Sequence, residues 1–258
     1  MAGYVLRIIS FIIITINFVM ADPFKPLDTD FLDTKTSKKK SEKDPLKNGK
    51  KDKKNKKIFS EIIKDYEKID GLFTFNWNKQ KNIFYLSILP EQFGKIYLAG
   101  LTRQSGDGYR YDGANMMGEY PFFFKQVGEK VHLIEENVKF RADKSSASAK
   151  ALDNLISNSI IAASKIEGEP DENSGAILVL AEGLFLRDYA GTGSSKRSKF
   201  KLDKSNSYYE SIRSYPHNSE IGVALHFTSS NPRYTFTLPD SKSAIHRYHM
   251  SWSEIPDS

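Results

Sequence analysis

The stretch from residue 72 to residue 101 reads LFTFNWNKQKNIFYLSILPEQFGKIYLAGL, and its spacing of apolar residues determines the fold class. Apolar side chains alternate with others over 72–77 and recur densely over 83–89. The polar, Lys-rich segment between the two runs is typical of a β-hairpin. Residues 90–93 predict a short helical turn, and residues 95–101 predict a buried strand. The stretch therefore predicts antiparallel strands that follow one another closely in sequence.

Further helix and strand patterns extend this arrangement over residues 58–258. Helical spacing predicts helices over Ile58–Ile69 and Ala147–Ser157, and Gly183–Asp188 indicates a short helical turn or a strand end. Further strands are predicted at 122–127, 130–135, 159–165, 176–181, 220–228, 234–238 and 245–252. The polar, basic stretch Ala190–Ser207 indicates a mobile excursion. We therefore predict an α+β domain of mainly antiparallel β-sheet hairpins with two or three short helices.

The basic residues are concentrated in one short stretch of the chain. Of its 258 residues, 38 are Lys or Arg and 32 are Asp or Glu, which gives a net charge of +6. Residues 35–57 hold 12 Lys and three acidic residues, whereas residues 58–258 hold 24 basic and 25 acidic residues. A near-neutral domain argues against a nucleic-acid partner. Because the chain has no Cys, disulfides, Cys-ligated zinc and thiol catalysis are excluded.

Residues 1–21 indicate an export signal. Arg7 precedes an apolar run of 13 residues, and Val19-Met20-Ala21 predicts cleavage between Ala21 and Asp22. The run is shorter than the about 20 residues of a membrane span, so a cleaved signal peptide is favoured over an uncleaved anchor. Either interpretation predicts an exported protein, periplasmic or extracellular.

Residues 22–57 indicate a disordered, Lys-rich linker. Leu46 is the one apolar side chain in the 24 residues from 34 to 57, and such a segment cannot bury enough surface to become ordered. Two roles remain open. The segment is either a solvated spacer, or the tract Lys35–Lys57 holds the protein to an anionic surface such as lipid head groups or wall polymer.

The sequence contains no recognised catalytic or metal-binding motif. H-E-x-x-H and G-x-S-x-G are absent, and GTGSSKRS at 191–198 lacks the spacing of a phosphate-binding loop. His246 and His249 are three residues apart in a predicted strand, where they face opposite sides and cannot share a metal. We therefore assign no catalytic residue, no metal ligand and no cofactor to this chain.

The Gly-rich stretch Arg103–Glu119 predicts a long loop, and long loops are often functional. Its aromatic and cationic side chains suggest a contact site for peptide or sugar, formed by Arg103, Tyr109, Arg110 and Tyr111. The alternative is that the aromatic side chains of this region, Tyr120 included, pack against the sheet.

Several short motifs occur in an order that is more specific than any one of them. They are Gly71-Leu72-Phe73, Tyr85–Pro90, the strand pair 122–142, Asn158–Ala163, Ile177–Asp188 and Ile212–Glu220. In this order they resemble the N-terminal region of large exported bacterial zinc-dependent metalloproteases of the metzincin type. The resemblance covers about residues 60–255.

In that family a catalytic domain with H-E-x-x-H-x-x-G-x-x-H follows the last strand, and those residues have no counterpart here. The resemblance therefore implies a non-catalytic N-terminal module, from a fragment or a truncated relative, that supports or shields a downstream catalytic domain. Zinc is expected only in that downstream domain. The module itself has no catalytic motif and would belong to an enzyme only as a part of the whole protease. The alternative is a self-standing exported binding module that its Lys tract tethers to an anionic surface.

Overall fold

The computed structural model describes residues 57–106, 115–143, 145–193, 199–232 and 234–256. All of them belong to one unit, Asp52–Ser258. The predicted signal peptide and its cleavage site, and the linker up to residue 56, lie outside these ranges. No helix among the described residues is long and apolar enough to cross a membrane.

Strands are the main regular element of the described chain. Its helices are α1 (Phe59–Ile63), α2 (Ala147–Leu155) and α3 (Glu182–Phe185), with a 3₁₀ turn at Pro90–Gln92. Its strands are β1 (Glu67–Ile69), β2 (Thr74–Asn78), β3 (Ile83–Ile88), β4 (Tyr97–Ser105), β5 (Asn115–Val127), β6 (Lys130–Glu135), β7 (Ser159–Glu167), β8 (Ile177–Leu180), β9 (Lys201–Ser214), β10 (Asn218–Thr228) and β11 (Ser243–Glu254).

The described strands form one sheet in the order β1-β2-β3-β8-β7-β6-β5-β4-β11-β10-β9, and every neighbouring pair is antiparallel. The predicted antiparallel hairpins are therefore confirmed. The helical share is smaller than the α+β prediction implied, because the helices are short and the sheet curls into a nearly closed barrel.

The two ends of the sheet meet beside β2. The Leu72 amide donates to the Tyr215 carbonyl at 2.6 Å, and the Ser214 hydroxyl donates to the Phe73 carbonyl at 2.7 Å. Gly71 makes this approach possible, because a Cβ at this position would lie 2.4–2.6 Å from atoms of Ser214 and Tyr215. The chain before β2 thus pairs with the end of β9 at one point of closure.

Asn82 makes the second point of closure, at the turn between β2 and β3. Its side-chain amide donates to the Ser207 carbonyl and accepts from the Tyr209 amide, both at 3.0 Å. The residue has φ 53°, a left-handed conformation that Asn tolerates better than most residues. One side chain therefore satisfies two backbone groups at the otherwise open edge of β9.

The interior of the barrel is aromatic and is filled by α3. Alternate residues of β11 face inward, and Trp252 is fully buried among four phenylalanines. Its ring centroid lies 4.8 Å from Phe185 of α3, 4.9 Å from Phe122, 5.5 Å from Phe73 and 5.6 Å from Phe124. Such ring pairs contribute about 0.5–1.5 kcal/mol each beyond their burial, so α3 and the sheet stabilise each other.

Two predicted elements at the surface are wrong. The helix predicted over Ile58–Ile69 ends at Ile63, because residues 67–69 pair with β2 as strand β1. The strand predicted over 234–238 is instead a turn, in which the Thr235 amide donates to the Ser241 hydroxyl at 2.8 Å. At residues 67–69 strand pairing outweighs the helical pattern, and at residues 234–238 a local turn outweighs the apolar pattern.

Two predicted loops are also shorter than expected. Residues 201–207 of the predicted mobile excursion belong to β9, which pairs with β10. The predicted loop Arg103–Glu119 begins and ends in strand, because β4 continues to Ser105 and β5 begins at Asn115. In both places the strand continues into polar sequence. Polar residues give no alternating apolar pattern, so the sequence does not indicate a strand there.

Gly71→Ala tests the closure of the barrel. The added methyl group overlaps the β9 backbone, so we expect the free energy of unfolding to fall by about 1–3 kcal/mol, the usual cost of overpacking. Gly100→Ala is the matched control, because a Cβ at Gly100 meets nothing within 4 Å. Urea unfolding measures both variants. Equal stability of the two would contradict the close approach at Gly71.

Candidate functional site

The predicted contact loop is only partly described. Arg103 lies in β4, opposite Asn115 of β5 and Tyr248 of β11. Tyr109, Arg110 and Tyr111 lie outside the described residues. The structure therefore does not test whether the four predicted residues come together, and they remain a prediction.

Tyr120 belongs to a cluster of tyrosines around Arg187. The guanidinium of Arg187 donates to the Tyr120 hydroxyl at 3.2 Å and to the Ile161 carbonyl at 3.0 Å, and it stacks on Tyr189 at 4.7 Å. Tyr189 lies 5.2 Å from Tyr248. The alternative of packing against the sheet thus describes Tyr120 correctly.

This arginine–tyrosine cluster holds the segment after α3. Burial raises the pKa of Tyr120 and of Tyr189 above the ordinary tyrosine value, so both phenols stay neutral near pH 7. The hydrogen bonds and ring contacts of this cluster join β5, β7 and β11 to the segment after α3.

A cavity of about 570 Å³ lies between α1 and the outer face of β2 and β3. The volume is in the range of small-molecule pockets. Phe59 and Ile63 of α1 line it together with Asn76 and Ser87, and the Asn76 amide donates to the Ser87 hydroxyl at 2.9 Å. Lys68 and Asp171 also line the cavity, so it combines apolar surface with neutral polar and charged groups.

The most chemically specific arrangement joins three neighbouring strands on the outer face of the sheet. Asp203 of β9 and His226 of β10 are register partners, and Ser243 is the first residue of β11. His226 Nδ1 lies 3.0 Å from Asp203 Oδ2, and His226 Nε2 lies 2.8 Å from Ser243 Oγ. In this Asp203–His226–Ser243 chain of hydrogen bonds, the carboxylate of Asp203 orients the imidazole of His226, and the imidazole contacts the hydroxyl of Ser243.

A β-bulge in β9 positions Asp203. Ala224 pairs with Tyr208 and His226 with Asp203, so residues 204–207 stand opposite one residue of β10. The Ser207 hydroxyl occupies the bulge, where it accepts from the His226 amide at 3.0 Å and donates to the Asp203 carbonyl at 2.8 Å. Bulges re-aim side chains in this way beside many functional sites.

The carboxylate of Asp203 is held by several donors. Asn206 Nδ2 lies 2.7 Å from Oδ2, and the Ser205 hydroxyl and amide lie 2.6 Å and 3.1 Å from Oδ1. The hydrogen bonds from Asn206, Ser205 and His226 hold the pKa of Asp203 well below its usual range. The group is therefore ionised near pH 7 and faces His226 Nδ1. In the neutral tautomer with its proton on Nδ1, His226 presents Nε2 to the Ser243 hydroxyl as an acceptor.

The other histidines agree with the prediction from strand alternation. His246 is buried on the inner face, whereas His249 lies on the outer face, 3.2 Å from a carboxylate oxygen of Glu220. Within the described ranges, no group of three or more His, Cys, Asp or Glu is placed to hold a metal ion.

An ion cluster fixes the point where β11 ends. The Glu254 carboxylate pairs with Lys95 and lies 3.2 Å from His217 Nδ1, and its amide donates to the His217 carbonyl at 3.0 Å. Lys95 and His217 lower the pKa of Glu254. Exposed apolar side chains lie in the segments beside this cluster: Ile96, Tyr215 and Ile255.

Two comparisons with known proteins find no match, and one finds a family. A family model described as a domain of unknown function, DUF5117, matches residues 115–258. This range begins with β5 and includes the Asp203–His226–Ser243 chain. No curated protein and no solved structure matches the chain.

Asp203→Asn should remove a stabilising charge from the β9 bulge. Because the folded-state pKa is lowered, the stabilisation is complete above the unfolded-state pKa of about 3.9 and is lost as the pH falls below it. The difference in urea unfolding between wild type and variant should thus be constant from about pH 7 to about pH 5 and shrink below about pH 4.

Asp65→Asn is the control, because the Asp65 carboxylate makes no hydrogen bond within the described part of the chain. It should change stability little at any of these pH values. A loss in Asp203→Asn that persists undiminished at pH 3 would contradict the assigned ionisation.

Proposed function

The chain belongs to the DUF5117 family, a domain of unknown function, and we propose that it is the non-catalytic N-terminal module of an exported zinc-dependent metalloprotease. The module supports or shields a catalytic domain that follows β11. The module itself does not hydrolyse peptides at a zinc ion. The order of motifs that resembles those proteases supports the proposal for most of residues 58–258.

The surface at the end of β11 is the observation that carries this proposal. β11 lies inside the sheet between β4 and β10. Its last residue, Glu254, pairs with Tyr97 of β4, and the Glu254 amide donates to the His217 carbonyl. A polypeptide that continues from this point leaves in a fixed direction, which favours a defined domain interface over a loose tether. Ile96, Tyr215 and Ile255 give this surface apolar contacts that a following domain would cover.

The zinc chemistry is assigned wholly to the following domain. No step of zinc-dependent peptide hydrolysis is assigned to a residue of this chain. The module acts instead by contact, and it holds the catalytic domain or covers its substrate cleft. Residues 1–21 export the product to the periplasm or the medium, and residues 22–57 then separate the export signal from the module.

The cavity beneath α1 favours a second candidate, a self-standing exported binding module. The cavity begins at Phe59, two residues after the tract Lys35–Lys57. In this candidate the tract binds an anionic surface, and the cavity or the loop after Arg103 contacts a ligand. Sedimentation with anionic vesicles distinguishes the spacer from the tether. It compares the whole chain with a variant in which the Lys residues of the tract are changed to Gln, and a tether predicts weaker binding of the variant. Equal binding removes the tract from this function.

Ile255→Ser tests the proposed interface in the full-length gene product. Sequencing beyond the codon for Ser258 should reveal an in-frame domain with H-E-x-x-H-x-x-G-x-x-H. In that product the variant loses an apolar contact worth about 1–2 kcal/mol, so we expect easier proteolytic separation of the domains and lower peptidase activity after mild heating.

Ile245→Ser is the matched control for this experiment. Ile245 lies in β11 and Ile255 directly follows it; the two are the same residue type at similar exposure, 39% against 43%, about 33 Å apart at the rise of an extended chain. The absence of a zincin motif downstream overturns the proposed module. Equal effects of the two substitutions overturn the assigned interface.

A further inference from the structure

We propose that Ser243, His226 and Asp203 form a nucleophilic site that takes acyl groups from small activated esters. This activity is separate from the proposed role beside a zinc domain, because it uses the opposite end of β11 and no metal. It rests on the hydrogen-bonded chain across β9, β10 and β11.

The geometry meets the first requirement of an activated serine. A serine hydroxyl is a weak nucleophile unless a base within about 2.6–3.2 Å can take its proton, and the base must itself be oriented by a third group. The distances of 2.8 Å from Ser243 Oγ to His226 Nε2 and 3.0 Å from His226 Nδ1 to Asp203 Oδ2 satisfy both conditions.

The solvent exposure of the three side chains suits a nucleophilic site. The side chains of His226 and Asp203 are 17% and 21% exposed, whereas Ser243 is exposed at the start of β11. The nucleophile is thus open to a substrate while the base and its carboxylate are shielded. The β9 bulge keeps this arrangement rigid, because Ser207 bonds both to the Asp203 backbone and to the His226 backbone.

The reaction is a two-step acyl transfer. Ser243 Oγ attacks the ester carbonyl carbon while its proton passes to His226 Nε2, and the imidazolium is stabilised by Asp203. The bond from the carbonyl carbon to the leaving oxygen then breaks, and the leaving group takes the proton from Nε2. Water attacks the acyl-serine with His226 as base again, which releases a carboxylic acid and restores the Ser243 hydroxyl.

The surroundings restrict the substrate to activated esters. The Ser243 amide donates to Asp240 Oδ1 at 3.2 Å, so it is not free to stabilise the oxyanion. Lys201 lies on the same face, in the cross-strand row of Lys201, Thr228 and Ser243. Because preorganised backbone donors supply much of the rate in efficient hydrolases, esters with good leaving groups, such as phenyl acetates, are the expected class.

Labelling with a fluorophosphonate tests the nucleophile in the full chain. The reagent forms a bond between Ser243 Oγ and phosphorus and loses fluoride, and tandem mass spectrometry locates the adduct. We expect labelling of Ser243 but not of Ser253, which lies on the same face of β11 and has no histidine partner among the described residues.

His226→Gln and Asp203→Asn test the base and its orientation. Each should remain folded by circular dichroism and label about 100-fold more slowly, the lower range for loss of a general base. Asp203→Asn serves as the second variant if His226→Gln does not fold. Hydrolysis of p-nitrophenyl acetate should fall in parallel in Ser243→Ala.

Three results would overturn the proposal. They are no adduct on Ser243 of the folded wild type, labelling of Ser253 at the same rate, or unchanged labelling in a folded His226→Gln or Asp203→Asn. Full ester hydrolysis by Ser243→Ala would also overturn it, because His226 would then be acting alone. None of these results bears on the zinc domain, so the two proposals fail separately.

Discussion

The contact between the two ends of the sheet is the constraint on which the rest of the structure depends. A twisted sheet with eleven described strands has two edges of unpaired backbone groups, and exposed edges lead to aggregation. Here Leu72 and Phe73 pair with the end of β9, and the Asn82 side chain satisfies the backbone of Ser207 and Tyr209. Closure also encloses the aromatic core and α3, since the interior of a curled sheet is filled by side chains.

Ser207 links the closure of the barrel to the Asp203–His226–Ser243 chain. Its carbonyl accepts from Asn82, and its hydroxyl bridges the backbones of His226 and Asp203. The β9 bulge is therefore held from both sides, by the turn that closes the barrel and by β10. This explains how three polar side chains on an outer sheet face keep a fixed hydrogen-bonded geometry without a deep pocket.

The sequence predicts the hairpins well and the polar strands poorly. The hairpin of residues 122–135 follows from its two apolar strand runs and its turn at Gly128, and the structure confirms it. The first half of β9 has a sequence, KLDKSNS, that is typical of a loop, and only pairing with β10 makes it a strand. The functional candidate also depends on strand pairing, and the sequence therefore does not predict it. Asp203 and His226 are 23 residues apart, and His226 and Ser243 are 17 residues apart. No motif spacing predicts the register that brings them together.

Amide hydrogen exchange at Leu72 and Tyr209 tests the closure most directly. In an open sheet these two amides face solvent at opposite edges, whereas here they donate to Tyr215 and Asn82. Closure predicts exchange as slow as that of Ile221, a fully buried residue of β10. Exchange of Leu72 and Tyr209 at the rate of unprotected amides, with Ile221 protected, would contradict a closed barrel.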